Sequence, residues 1–119
     1  MKLEVGMYVR TEWGTIQKIK EKRDYYKCIA DENGEEVYYL NINQSYQDYE
    51  LIIKASHNII NLIEVGDYVN GYYVEDVFDN YVNVSTGSNY FQKPSINADE
   101  IKSIVTKEQF EQMQYKVDN

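Results

Sequence analysis

Cysteine, proline and histidine each occur once in these 119 residues, as Cys28, Pro94 and His57. A lone cysteine forms no internal disulfide, so the chain suits a reducing compartment, and a cytoplasmic location is expected. The opening MKLEVGMYVR lacks the apolar centre of a signal peptide, and no apolar run nears the roughly 20 residues that a membrane helix needs. Neither export nor membrane attachment is expected. The six glycines, Gly6, Gly14, Gly34, Gly66, Gly71 and Gly87, never cluster, which excludes a glycine-rich phosphate cradle.

Candidate catalytic groups are equally sparse. Ser56 adjoins His57 and cannot reach its ring in triad geometry from there, so His57 is read as a strand-end or connector histidine making a structural hydrogen bond. Cys28, in YYKCIAD, alternates with polar neighbours as a small buried apolar residue does. Glu35/Glu36 and Glu75/Asp76 are adjacent pairs, and neighbouring strand side chains point to opposite faces. Neither pair makes a carboxylate dyad or a metal cage. A calcium loop of the DxDxDG kind is missing as well. No enzyme activity, no metal and no cofactor are expected.

Tyrosine is abundant: 13 residues, against three Phe and one Trp. It favours pleated, half-buried surfaces and binding faces, which points to sheet. Acid outweighs base, with a net charge of −8. Phosphate neutralisation by Lys and Arg supplies most nucleic-acid affinity, so direct nucleic-acid binding is not expected. The charge is uneven along the chain. Residues 1–27 hold seven bases and four acids (+3), while residues 28–100 hold two bases and thirteen acids (−11).

Local patterns predict a series of short strands. GMYVRTEWGTIQKIKEK reads as two strands joined through a turn at Gly14. Asn33-Gly34 is a hairpin signal, because both residues tolerate the positive φ of a type I′ turn, and strands are expected at 25–30 and 36–40. The polar NINQSYQDYEL is a connector, followed by a strand at 51–55. Ile59, Ile60, Leu62 and Ile63 are a strand or one helical turn, which periodicity leaves open. Asn70-Gly71 and Asp79-Asn80 are the turns of a second meander, and the stretch through Pro94 is a long loop. A strand at 101–105 then leads to Thr106, which with Gln109 has the form of a capping box. The helix expected at 107–114 puts Phe110 and Met113 on one face to cover an open end of the sheet, and a last strand at 115–117 pairs back.

The glycine-led VGMYVRTEWGTIQKI resembles the start of SH3-like and KOW-type small barrels. SHNIINLIEVGDYVNGYYV together with IKSIVTKEQFEQMQYKV is similar to small, mostly uncharacterised proteins of phages and prophages of Gram-positive bacteria. That resemblance implies a phage-borne protein acting on a component of its host, in the host cytoplasm, and carries no catalytic residues with it. The expected fold is mainly β (α+β): two small antiparallel SH3-like β units, or one partly open barrel, with one short C-terminal helix. Residues 1–50 form the first unit, with the Asn33-Gly34 hairpin and connector, and 51–119 the second, as one compact domain. EVGMYV at 4–9 and EVGDYV at 64–69 then mark two similar units of opposite charge.

The expected site is a surface. Asp31, Glu32, Glu35, Glu36, Asp48, Glu50, Glu64, Asp67, Glu75, Asp76 and Asp79, set among Tyr38, Tyr39, Tyr46, Tyr49, Tyr72 and Tyr73, suit a basic partner: carboxylates steer and tyrosines give contact area. The plainer alternative is acidity for solubility and tyrosine for sheet. With the phage resemblance, the leading expectation is a counter-defence protein, anti-CRISPR-like or a DNA mimic, that occupies a basic site on a host protein such as a nuclease or CRISPR effector. The alternatives are a sponge for a nucleotide immune signal, its phosphates held by the bases between Arg10 and Lys27, and an SH3-like adapter of a phage.

Overall fold

The computed structural model describes residues 2–27, 30–42, 48–85, 94–115 and 117. Among the described residues are ten strands, in two antiparallel five-stranded sheets, and one short C-terminal helix. The chain is mainly β, as its tyrosine and β-branched content predicts, and it has two units rather than one barrel. The first is Met1–Leu62 and the second Ile63–Asn119.

In the first unit, β1 (Tyr8–Thr11), β2 (Ile16–Lys18), β3 (Tyr25–Lys27), β4 (Tyr38–Asn41) and β5 (Tyr49–Ser56) lie in the order β2-β1-β5-β4-β3. β5 joins the two parts of this sheet. Its start pairs with β4 (Tyr49 opposite Asn41, Leu51 opposite Tyr39) and the rest with β1 (Ile52 opposite Thr11, Ser56 opposite Tyr8). This strand opens at Tyr49 and belongs to the first unit, so the boundary falls after Leu62 and not after Glu50. Ile59–Leu62 is a 3-10 helix that buries Ile60 and Leu62. Leu3, Val9, Ile19, Tyr38, Leu40 and Ile52 form the core. Each such aliphatic side chain contributes roughly 1.5–3 kcal/mol on burial.

In the second unit, β6 (Tyr68–Val69), β7 (Tyr72–Val77), β8 (Tyr81–Ser85), β9 (Ser95–Asn97) and β10 (Ile104–Val105) lie in the order β10-β6-β7-β8-β9. Val69, Val74, Val82 and Val84 are buried, with Val74 directly opposite Val84. β9 lies just past Pro94, where a loop is expected, and β10 is shorter than the 101–105 strand. α1 (Lys107–Met113) begins at the expected capping box: Gln109 N–H donates to Thr106 Oγ1, and Thr106 N–H to Gln109 Oε1. Phe110 stacks on Tyr68 at 4.8 Å, whereas Met113 is mostly exposed, so α1 covers the sheet with one apolar side chain. Tyr115 lies in no strand and is also exposed.

Both units follow one cyclic strand order, in which the fifth strand returns to pair with the first, as closure toward a barrel requires. They open at different places. Among the described residues, the first has its edges at β2 and β3 and the second at β9 and β10.

The repeated hexapeptide is the entrance to the first strand of each unit. Gly6 and Gly66 hold φ values of 96° and 99°. Gly6 N–H donates to Ile19 O and Ile19 N–H to Met7 O, while Gly66 N–H donates to Val74 O and Val74 N–H to Asp67 O. One turn is written twice.

The two Asn-Gly steps differ. Asn70 and Gly71 both have positive φ, at 52° and 85°, as a type I′ turn between β6 and β7 requires. At 33–34 only the glycine is positive. There Gly34 N–H donates to Asp31 O, Asp31 N–H donates to Glu35 O, and Asp31 Oδ1 accepts from Asn33 and Glu35 N–H. This is the bonding of a three-residue loop ending in a glycine bulge, set by the Asp31 side chain, and it replaces the expected type I′ turn.

Candidate protein-binding face

Register decides which of the predicted site residues reach solvent. Directly opposed residues share a face, as do residues two apart on one strand. Tyr26 opposes Tyr39, Tyr39 opposes Leu51, and Tyr49 precedes Leu51 by two, so these four lie on one face of β3, β4 and β5. The inner face takes Tyr25, Tyr38, Leu40 and Ile52. On the outer face Tyr26 and Tyr49 are 58% and 42% exposed, with ring centroids 5.7 Å apart and planes tilted by 50°. Ile53, also exposed, extends this surface along β5.

Carboxylates lie beyond both ends of these strands. Asp31, Glu32, Glu35 and Glu36 are exposed on the turn joining β3 to β4. Asp48 is exposed at the far end, where its carbonyl accepts from Ile42 N–H next to the Asn41–Tyr49 pair.

Three predicted surface residues have structural roles instead. Tyr38 is buried in the core, packs edge-on to Tyr25 at 6.0 Å, and donates its hydroxyl to Glu36 Oε2 at 2.6 Å. Glu50 Oε1 accepts from the hydroxyls of Thr11 and Thr15 at 2.6 and 2.7 Å, holding the turn after β1 against β5. Asp67 is fully buried and accepts from Glu64 N–H at 2.7 Å and Lys107 N–H at 2.9 Å. Its carboxylate thereby binds the strand entrance to the start of α1. Tyr46 and Cys28 lie outside the described residues.

The remaining members belong to the second unit. Tyr72 is exposed opposite Val69. Glu75 and Asp76 are half-buried where the β7–β8 register shifts, and Asp79 is exposed in the next turn, beside the stacked rings of Phe78 and Tyr81. The predicted residues thus form two groups, each with its own scaffold. Charge does not divide the units as expected. Residues 1–62 carry eight bases and ten acids (−2), and residues 63–119 four bases and ten acids (−6), because the basic 1–27 and acidic 28–50 stretches fold into one sheet.

Of the bases between Arg10 and Lys27, Arg10, Lys18 and Arg23 have partners within the chain. Arg10 is fully buried and donates to Leu62 O at 2.9 Å, at the end of the 3-10 helix. Arg23 pairs with Glu21, and Lys18 Nζ lies 5.6 Å from the centre of the Tyr8 ring. His57, just past β5, places Nε2 3.0 Å from Glu4 Oε2, and this hydrogen bond, then the charge of the imidazolium, holds the Glu4 carboxyl below its usual 4.5. Among the described residues no group of three or more His, Cys, Asp or Glu is placed to hold a metal ion.

Sequence reasoning passed over Tyr26, Leu51 and Ile53. Only the pairing of 25–27 with 38–40 reveals that Tyr26 stands beside Tyr39, and a period of two along β5 then adds Leu51 and Ile53. Among the described residues no helix is long and apolar enough to cross a membrane. No protein-family model, curated protein or solved structure matches the chain.

Proposed function

We propose that the chain is a non-enzymatic binding protein that places the Tyr26, Tyr39 and Tyr49 face of its first unit on a positively charged surface of a partner protein. One observation carries this reading: Tyr26, Tyr39 and Tyr49 line the outer face while other residues, Tyr38 among them, fill the core, and carboxylates stand beyond both ends of that face. An outward tyrosine adds nothing to the core, yet at an interface it brings large contact area at low entropic cost. The carboxylates steer a basic partner and raise the rate of encounter. In the phage setting implied by the sequence resemblance, that partner is a host defence protein, and its basic surface is one that otherwise holds nucleic acid.

The test uses exposed carboxylates only. Glu32→Lys, Glu35→Lys and Asp48→Lys together leave the Glu50, Asp31 and Asp67 anchors intact, so the melting temperature should hold while capture of the partner from infected host cells is lost. Wild-type capture that depends on salt and fails in the triple variant supports the reading. Equal capture by wild type and variant, or inhibition of a host nuclease that survives the triple reversal, would falsify it.

A further inference from the structure

The Tyr26–Tyr49 pair differs from the other close ring pairs, including Tyr68–Tyr73, which meet edge-on at 5.7 Å while Tyr68 is also stacked on Phe110. Phe78 on Tyr81 and Tyr68 on Phe110 are stacked within 25° of parallel at 4.7 and 4.8 Å, so in each a ring face is spent on its neighbour. Tyr25 and Tyr38 belong to the core side of the sheet. Tyr26 and Tyr49 are tilted and open to solvent, and Asp48 adjoins the second ring in the chain.

We infer that this pair is a seat for an arginine side chain of the partner. The inference rests on the reading that the first unit binds a basic protein surface, and it specifies which basic group is recognised and where. A guanidinium is flat and weakly hydrated, so it stacks on a tyrosine face and still turns its edge N–H groups toward a carboxylate. An ammonium is a compact, strongly hydrated charge that gains less from the ring. The surroundings match the arginine: ring faces at the centre, carboxylates of Asp48 at one end and of Glu32 and Glu35 at the other. A tyrosine ring elsewhere in the chain already has a cation over it, Lys18 over Tyr8 on an adjacent strand, though there the cation is an ammonium. In the second unit Asp79 stands next to a ring pair already stacked on itself, so that group is no equivalent seat.

The experiment compares oligo-arginine and oligo-lysine peptides of equal length, titrated into the full chain and into Tyr26→Leu/Tyr49→Leu. Both rings are exposed, so the double variant keeps the core, which a thermal melt verifies. The expected result is a preference of roughly fivefold for arginine in the wild type, collapsing toward equality in the double variant. Amide shifts on titration should centre on β3, β4 and β5. Glu35→Lys should weaken both peptides alike. Equal binding of the two peptides by the wild type, or an arginine preference that survives the double variant, overturns the arginine seat and leaves the basic-partner reading standing. Failure of both peptides to bind at low salt overturns both readings.

Discussion

Met7 Sδ and Asp67 Oδ2 accept the same hydrogen bond in two copies of one turn: the sulfur lies 3.3 Å from Glu4 N, the carboxylate oxygen 2.7 Å from Glu64 N. The only position at which the two hexapeptides differ is therefore one where the backbone demands an acceptor and the side chain is free to supply it in either form. Asp67 does more, because its second oxygen takes the first N–H of α1. The first unit has a 3-10 helix where the second has α1, and no partner for a second oxygen is needed there.

Exchanging these residues should give unequal effects. Asp67→Met removes two charge-assisted hydrogen bonds from a buried site and should cost about 2–4 kcal/mol in urea denaturation, with loss of helical signal from α1. Met7→Asp keeps an acceptor for Glu4 N–H at a half-exposed position and should change stability by about 0.5 kcal/mol or less. Similar losses from the two substitutions would show that the second bond of Asp67, to Lys107 N–H, adds no stability.

Gly6→Ala and Gly66→Ala should each cost about 1–2 kcal/mol, because a side chain is strained at these φ values. Space is not the reason. An added Cβ would lie 3.6 Å from His57 Cε1 in one copy and from Lys107 Cδ in the other, which is ordinary contact. Trimming the neighbour, as in Gly66→Ala with Lys107→Ala, should not restore the loss, and a rescue measured by thermal denaturation would show the cost to be steric.

Asn70 fastens the chain between β9 and β10 to the β6–β7 turn. Its Oδ1 accepts from Lys102 and Ser103 N–H, and its Nδ2 donates to Glu100 O. Asn70→Gly preserves the positive φ and deletes all three bonds, so a loss of about 1.5–3 kcal/mol would report the bonds alone. Faster amide exchange at Lys102 and Ser103 is the accompanying signature.

Lys107 and Glu4, at the two repeated turns, each give a pH dependence. Lys107 Nζ lies 2.7 Å from Glu64 Oε1, and this hydrogen bond, opposed by burial and helped by the charges of Glu64, Glu108 and Asp67, raises the ammonium above its usual 10.5. A raised value means stabilisation fully present below 10.5 and lost as the pH climbs through the folded-state value. The side chain is half exposed, so the contribution is only roughly 0.5 kcal/mol. Stability curves of wild type and Lys107→Met should run parallel below pH 10.5 and converge above it. Glu4 has the opposite sign: its lowered carboxyl stabilises above 4.5 and stops doing so as the pH falls through the folded value. Stability curves of wild type and Glu4→Gln should therefore run parallel above pH 4.5 and converge as the pH falls through the folded value.

Local chemistry was legible where it acts alone. Thr106 with Gln109 identified the helix start, Asn70-Gly71 its turn, and the glycine-led repeats the first strand of each unit. What failed to be legible depends on pairing. Whether Tyr38 or Tyr39 faces solvent is a matter of register, and Glu50 looks like a surface acid until β5 brings it beside Thr11 and Thr15. The sequence groups the strand at 51–55 with the second unit because its partner β1 lies some forty residues earlier in the chain. Summing charge along the sequence failed for the same reason: a sheet interleaves segments that the sequence keeps apart. At 33–34, the aspartate two residues before the Asn-Gly step outweighed the dipeptide itself.

The place where the first unit ends also bears on how the chain is made. Every described strand of that unit has been synthesised by Ser56 and the 3-10 helix that follows β5 by Leu62, just before the second EVG begins at Glu64. Near-identical tandem segments invite exchange of strands between copies, a common failure of repeated domains. Here β5 can close on β1 before β6, its nearest imitator, leaves the ribosome. The order of synthesis thus gives the correct pairing a head start over the competing one.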